Sequence, residues 1–563
     1  MRRAEHLGRL RTERFDVLVI GGGITGAAAA RDAAARGFRT GLVEARDFGE
    51  GTSSRSSRLI HGGLRYLEQF EFDLVFEASR ERRTLLRIAP HMVRPLEFLF
   101  PVYREGSVGR LKLDAGMWLY DALSLFRNIE RHQMLSASDV LWREPGLAPE
   151  GLLGGARYFD AQVDDARLVL TTVRAAAKCG AAVANRLEVV RILYEEGEAV
   201  GVRVQEKLAE PGEASEWDVR THLVLNATGP WTDQMLTRAG REAPPLLRPT
   251  RGTHIHVRRD RIGHSRALIF ESPLDGRIMF VLPWGDLTLI GTTDEEYEGA
   301  PEDVRPTGED VRYLLDSTNR LFPDARLDAA DVLSAWAGLR PLVAGEADAE
   351  EDEVSRDHVI LEEPPGLLTI AGGKLTSHRA MAEEIVDLAE SRLSERGIRA
   401  RAEAETAGMP LPGGDFEDLE ELERTLQSRM AALGLDRGVC ERLARAYGTL
   451  ADEVLELVSE RPELRERLVE DRPYIAADAV QSARREMALH VEDVAFRRTH
   501  VGLETEEFGA AIRRIAVLMR DELGWDEARE QAEIARAEAV RERNELFRSE
   551  LEALEAPGGS EGP

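Results

Sequence analysis

The sequence predicts an α/β dinucleotide-binding domain of Rossmann type interleaved with a β-rich α+β substrate lobe and followed by an all-α C-terminal domain. Three observations predict it. Residues 15–45 read as strand, glycine turn, helix and strand. Two further apolar runs end in glycine, Leu223 to Gly229 and Leu367 to Gly373, and both lie far along the chain. After about Ala402 the composition shifts to Leu, Glu, Arg and Ala at helical spacing.

Taken in order, Phe15 to Ile20 is a β-branched run, Gly21-Gly22-Gly23 turns the chain, Ile24 to Arg36 is Ala-rich and ends at Gly37, and Phe38 to Val43 resumes as strand. From about Glu71 to Arg131 the pattern predicts mainly helix, broken at Pro90, Pro95 and Pro101. Ile278 to Pro283 and Leu287 to Thr292 flank Trp284-Gly285-Asp286 as a hairpin. The expected division is 1–70, 161–245 and 351–402 for the dinucleotide domain, 71–160 for a helical part of the substrate lobe and 246–350 for its β-rich part. A helical domain over 403–545 and a disordered tail over 546–563 complete it.

Composition narrows the function. The 563 residues carry 74 Lys plus Arg against 102 Asp plus Glu, a net charge of −28, which argues against nucleic acid as a partner. An anionic substrate must therefore meet a local basic cluster. Cys179 and Cys440 are too few for a disulfide framework, a CxxC site or an iron–sulfur cluster, so a reducing, cytoplasmic compartment is expected and no metal site is. The Arg-rich first 14 residues lack the apolar stretch of a secretory signal, and no apolar run approaches the roughly 18 residues that span a bilayer. Membrane contact would be peripheral. Arg110 to Arg131 has the pattern of an interfacial helix, and a buried lobe helix explains the pattern as well. The buried helix is the expectation, since overall acidity opposes attraction to anionic lipids.

Gly21-x-Gly23-x-x-Gly26 lies between strand and helix, the context that gives this pattern meaning. Gly21 permits the turn, Gly23 the approach of a pyrophosphate, and Gly26 close helix–strand packing. Glu44, 18 residues beyond Gly26, ends the second strand, where a carboxylate accepts ribose hydroxyls and disfavours a 2′-phosphate. A glycine turn that binds nothing is the weaker alternative. The N-terminal position and the distant strand-to-glycine segments favour FAD over NAD, making the first domain an FAD-binding one. Thr52, Ser53, Ser54 and Ser57 form a hydroxyl-rich loop suited to the pyrophosphate or the flavin edge, though the same composition serves a linker. Thr228 and Gly229 close a buried strand, either beneath a cofactor or as simple strand termination.

Thr52 to Glu68, with Ser-Arg-Leu-Ile-His-Gly-Gly-Leu-Arg-Tyr-Leu-Glu at 57–68, resembles the FAD-dependent glycerol-3-phosphate dehydrogenases. So do Arg248-Pro249-Thr250-Arg251-Gly252-Thr253-His254, Gly291 to Asp294, Gly338 to Leu342, Ser355-Arg356-Asp357 and Gly372-Gly373-Lys374-Leu375-Thr376. The resemblance runs from about Phe15 to Asp387, and Glu492 to Thr499 is similar to that family's C-terminal cap domain. His358 departs from the Tyr or similar residue the family often has there, and no functional meaning attaches to it. The resemblance implies oxidation of sn-glycerol 3-phosphate to dihydroxyacetone phosphate, with a hydride passing from C2 to flavin N5 and electrons leaving for a respiratory quinone. It also implies a protein held peripherally at the inner face of the cytoplasmic membrane. The oligomeric state stays open, a homodimer included.

The substrate's phosphate carries about −1.5 to −2 charge, which guanidinium groups pair bidentately. Arg65, Arg340, Arg356 and Lys374 are the candidates, with Tyr66 beside Arg65; a solvated surface role is the alternative for each cation. Arg340 is also the cation expected to stabilise an alkoxide at C2. His254 is the expected base. Strand alternation puts His254 and His256 on one face, and for His256 an exposed polar strand position is preferred. Gly373, Lys374, Leu375 and Thr376 lead into a helix capped by Thr376 or Ser377 and aimed at the flavin; a plain turn is the alternative. Competing functions are a glycerol-3-phosphate oxidase making peroxide, an amine or amino-acid oxidase, and a flavin-binding module without turnover.

Overall fold

A computed structural model of the chain describes residues 1–63, 71–209, 215–344, 358–403 and 405–555. The β-branched run predicted at 15–20 forms strand Arg14–Ile20, which pairs in parallel with Glu216–Asn226 on one side and Thr40–Val43 on the other. The order His358–Glu362, Leu367–Gly372, Glu216–Asn226, Arg14–Ile20, Thr40–Val43, Ala182–Ala184 runs across this sheet, and the meander Leu187–Glu195 and Glu198–Glu206 adds to Glu216–Asn226. The carboxyl ends of the four central parallel strands, at Ile20, Val43, Asn226 and Gly372, therefore lie together. Loops leaving that edge are where an open α/β sheet holds its ligand.

The Ala-rich helix Ile24–Ala35 covers this sheet between helices Asp165–Lys178 and His378–Glu395. Its Ala27, Ala30 and Ala33 are fully buried against Val17, Val19, Leu225 and Ile385, and methyl-sized side chains let the helix sit close.

A second sheet orders Glu295–Glu296, Thr250–Arg258, Leu287–Gly291, Ile278–Trp284, Ala267–Glu271, Arg94–Tyr103, Leu152–Gln162 and Leu59–Ile60, with Val332–Arg340 on Thr250–Arg258 and Gln133–Leu135 on Leu152–Gln162. The hairpin turns at Gly285-Asp286, with Trp284 opposite Leu287. Because the two sheets draw on alternating stretches of chain, the lobes are interleaved.

Two expectations are corrected here. The 71–160 segment contributes strands as well as helices, since Arg94–Tyr103 pairs along its whole length with Leu152–Gln162. Its prolines are tolerated because the opposite edge pairs only at Phe98 and Leu99, away from Pro95 and Pro101. The expected tail begins too early: Phe547–Glu555 is a helix, with Phe547 and Leu551 buried one turn apart against Val311 and Leu314. Glu550 there accepts from the Gly308 N–H at 2.8 Å and pairs with Arg305 at 2.7 Å.

The helix Arg110–Leu123 buries Leu113, Met117 and Tyr120 but not its outer face. Leu111 is 87% exposed and Trp118 53%, and Leu119, Leu125 and Phe126 are exposed too. A helix buried on all sides is thus not what the chain forms.

Helices from Leu419 to Glu545 build the C-terminal domain around two apolar clusters. It meets the first sheet through buried ion pairs. A π-helical turn at Val494–Arg498 presents Arg497 and Arg498 to Asp47, at 2.6 and 2.8 Å, and Asp493 to Arg186 at 2.5 Å. Arg497 also reaches Asp493 at 2.6 Å. The carboxylates of Glu50, Glu492 and Asp493 approach one another here, and Arg186 and Arg497 supply the cations between them. Removing one member of such a buried set strands the others in a low dielectric. Asp47→Ala is expected to lower unfolding stability in urea by about 3–5 kcal/mol; a loss under about 1 kcal/mol would show that apolar packing alone carries the contact.

Candidate active site

Helix and strand meet closest at the glycine turn. A Cβ on Gly26 would fall 2.0 Å from the Gly21 carbonyl oxygen, and one on Gly21 would fall 2.5 Å from that of Ala227. Only hydrogens fit in this cradle. The helix that starts at Ile24 has no acidic residue in its first turn, so its N–H groups favour an anion there. Ser53 Oγ accepts the Ile24 N–H at 3.0 Å, which ties the hydroxyl-rich loop to that helix end.

Glu44 sits where the second strand stops, its two oxygens accepting the Gly22 N–H at 2.6 Å and the Arg46 N–H at 2.7 Å. Burial pushes its carboxyl pKa up, and the two backbone donors oppose that. The carboxylate borders a cavity of about 660 Å³ that extends to the second sheet. Of the predicted cofactor residues, Gly21, Gly23, Glu44, Thr52, Ser53, Ser57, Thr228, Gly229, Gly373, Lys374, Leu375 and Thr376 line it. Gly26 acts beneath it through packing, and Ser54 does not line it. Helix His378–Glu395 starts with Ser377 in the cap position without a side-chain cap bond, while Thr376 Oγ1 accepts the His61 N–H at 3.1 Å. The expected hydroxyl cap is therefore absent, because Thr376 is committed to the neighbouring loop.

The glycine cradle, the helix end and Glu44 together fit an FAD molecule with its pyrophosphate on the turn. They would hold its ribose at Glu44 and leave the ring end toward Gly373 and the second sheet.

At that far end stand His254 and Arg340. His254 pairs in register with Gly291 on one side and Trp336 on the other. A Cβ on Gly291 would meet the His254 ring at 2.3 Å, and Trp336 stacks on the same ring at 5.6 Å and 12°. His254 is 3% exposed. Its pKa is pushed down to about 3, first by burial and then by Arg340 and Arg58, so it is neutral near pH 7. Its Nε2 lies 2.8 Å from Ser57 Oγ.

Arg340 is pinned rather than loose. Its guanidinium donates to Asp294 at 2.9 Å, Thr292 Oγ1 at 2.9 Å and the Thr293 carbonyl at 3.0 Å, and Gly252 leaves room for it, since a Cβ there would lie 2.5 Å from Nη2. The Asp294 pairing tempers it as a bare cation. Lys374 lines the same cavity. Arg65, Tyr66 and Arg356 lie outside the described residues.

His256 corrects both placements expected of it. It is fully buried, neither beside His254 in a cleft nor exposed, with Nδ1 3.3 Å from the Leu503 carbonyl and its ring edge-on to Trp336. The C-terminal domain covers that stretch of strand. Arg55 is the residue the sequence reading passed over. It lines the cavity, donates to the Ala337 carbonyl at 3.1 Å, and burial pushes it down to about 10. The signal was present, since Arg55 is the cation inside the hydroxyl-rich loop.

Comparison with known proteins shows the family. Residues 16–388 match the family model described as FAD dependent oxidoreductase, and residues 404–530 match that of the C-terminal domain of alpha-glycerophosphate oxidase. The chain is 40% identical to a glycerol-3-phosphate dehydrogenase of Mycobacterium leprae (strain TN) over 93% of its length and 87% of that protein. It is 39% identical to the aerobic glycerol-3-phosphate dehydrogenase of Bacillus subtilis (strain 168), covering 86% and 87%. The solved glycerol-3-phosphate dehydrogenase from Bacillus halodurans, complexed with FAD, superposes with a TM-score of 0.78 at 31% identity, over 97% of each chain. Gly26→Ala is expected to weaken flavin binding about tenfold or more, about 1.4 kcal/mol at least, read as the flavin-to-protein absorbance ratio after gel filtration. Wild-type flavin content in that variant would refute the packing role.

Proposed function

The chain belongs to the FAD-dependent glycerol-3-phosphate dehydrogenases, and from that premise we propose that it oxidises sn-glycerol 3-phosphate to dihydroxyacetone phosphate in the cavity between its two sheets. When bound, FAD supplies the two-electron acceptor for the hydride leaving C2. The single observation that carries the site assignment is that one cavity joins the dinucleotide cradle to His254, Arg340 and Lys374.

His254 holds the hydroxyl proton. Being neutral, it can accept, and a phosphate dianion entering beside it raises its proton affinity against the pull of Arg340 and Arg58. Arg340, fixed by Asp294 and Thr292, orients the C2 oxygen and stabilises negative charge as it develops there. Lys374 binds the phosphate together with Arg65, Tyr66 and Arg356, a role that the resemblance of their motifs to the family's supports. Between the two sheets the lower dielectric strengthens each of these contacts.

Electrons then pass to a membrane quinone, and the protein works at the cytoplasmic face of the bilayer. What supports membrane contact is the outward apolar face of Arg110–Leu123, where Leu111, Trp118 and Leu119 are exposed between Arg110, Lys112 and Arg127. Among the described residues no helix is long and apolar enough to cross a membrane.

Glycerol 3-phosphate added without oxygen is expected to bleach the flavin band, and Arg340→Ala to slow that bleaching about a hundredfold or more; an unchanged wild-type spectrum would leave only a flavin-binding protein. Under air, reduction of a quinone analogue without stoichiometric peroxide is the expected outcome. Replacing Leu111 and Trp118 with Asp is expected to reduce cosedimentation with anionic phospholipid vesicles about tenfold or more, and undiminished cosedimentation would remove this helix from the membrane contact.

A further inference from the structure

The placement of His254 poses a question of proton access. Its Nδ1 is buried and makes no hydrogen bond among the described residues, and Trp336 and Gly291 close in on the ring. Nε2 is the nitrogen with a partner, and that partner is the hydroxyl of Ser57 at 2.8 Å. Ser57 itself is half-buried and lines the cavity. Among the described residues its hydroxyl is thus the one hydrogen-bond partner of the base, and it borders the cavity.

The residues on either side of Ser57 are anchored. Ser56 donates through its N–H and Oγ to Asp165 Oδ2, at 3.0 and 2.7 Å, and its Oγ accepts the Arg58 N–H at 3.0 Å. The Arg58 guanidinium lies 4.2 Å over the Trp284 ring and 5.4 Å from that of Trp336, with Nη2 3.4 Å from His500 Nδ1. Three side chains of the second sheet and the C-terminal domain therefore hold the loop that carries Ser57. A group fixed in this way loses little entropy when it acts.

Resting on the reading of this cavity as the site of glycerol 3-phosphate oxidation, we propose that Ser57 is a catalytic residue that relays the substrate's proton to His254. The C2 hydroxyl gives its proton to Ser57 Oγ as the Ser57 proton passes to His254 Nε2. The C2–O bond becomes a carbonyl as the C2–H bond breaks, its electron pair leaving as the hydride that FAD, when bound, would accept. Ser57 ends as it began and His254 ends as imidazolium. With Arg58 and Arg340 nearby, that imidazolium is disfavoured once the dianion has left, so the same hydroxyl returns the proton to the cavity.

The test uses the holoenzyme in anaerobic stopped flow, with Ser57→Ala and Ser57→Thr. Ser57→Ala is expected to keep its flavin and to reduce it about 10²–10³-fold more slowly, while Ser57→Thr, which retains a hydroxyl, stays within about tenfold of wild type. Wild type is expected to show a curved proton inventory in mixed H₂O and D₂O, two protons moving together, and Ser57→Ala a linear one. Should Ser57→Ala lose its flavin, Ser57→Cys must show the same slowing. Independently of turnover, nitrogen-15 shifts of His254 in the resting protein, assigned through loss of the signal in His254→Gln, are expected to place the proton on Nδ1. A proton on Nε2, or wild-type reduction rates in Ser57→Ala, would overturn the relay alone. A wild-type flavin that glycerol 3-phosphate does not bleach would overturn the reading beneath it.

Discussion

The site depends on backbone approaching where no side chain fits. The helix at Ile24 can face a pyrophosphate only because Gly26 packs on the Gly21 carbonyl, and the His254 ring can lie across its neighbouring strand only because that strand has Gly291 there. Gly252 does the same for the Arg340 guanidinium. In each case a Cβ would sit closer than atoms can approach, so the position of a charged or titrating group is set by an absence of volume. The cavity is the sum of these close approaches at the junction of two sheets.

Charge is handled by a second device. A chain of net charge −28 must hold an anionic cofactor and an anionic substrate, and it does so with cations at the cavity whose partners are specified. Arg340 is paired with Asp294, Arg55 with a carbonyl, and Arg58 is held over two tryptophan rings. Arg55 and Arg58 are thus satisfied without an acid, while Asp294 partly offsets the charge of Arg340. Burial first, and then the nearness of Arg340 and Arg58, keeps His254 neutral, as a proton acceptor must be before it acts.

The helical C-terminal domain belongs to the same device. Through Arg497 and Arg498 it grips Asp47, two residues before Gly49 in the loop that borders the cofactor cradle, and through His500 and Leu503 it backs Arg58 and His256. It thereby covers the strand face that carries His256 and Ser334. A binding loop braced from outside its own domain keeps its geometry through turnover.

Much of the fold was legible because its signals are local. The strand-turn-helix at 15–36, Glu44 at the end of the next strand and the two distant strand-to-glycine runs are patterns of period and punctuation, and they determined the dinucleotide domain, its cofactor and the interleaving. The family motifs singled out His254, Arg340 and Lys374, and all three line the cavity beside the glycine cradle. What tertiary structure alone decided are contacts between residues far apart in the chain: Ser57 on His254 across 197 positions, the burial of His256 beneath Leu503, and the outward apolar face of Arg110–Leu123. Strand Arg94–Tyr103 belongs with them, since its prolines forbid nothing once the partner edge is known. A sequence states which backbone conformations and faces are favourable; which face meets which is settled by packing the whole core at once, and that energy is not carried by any short stretch of residues.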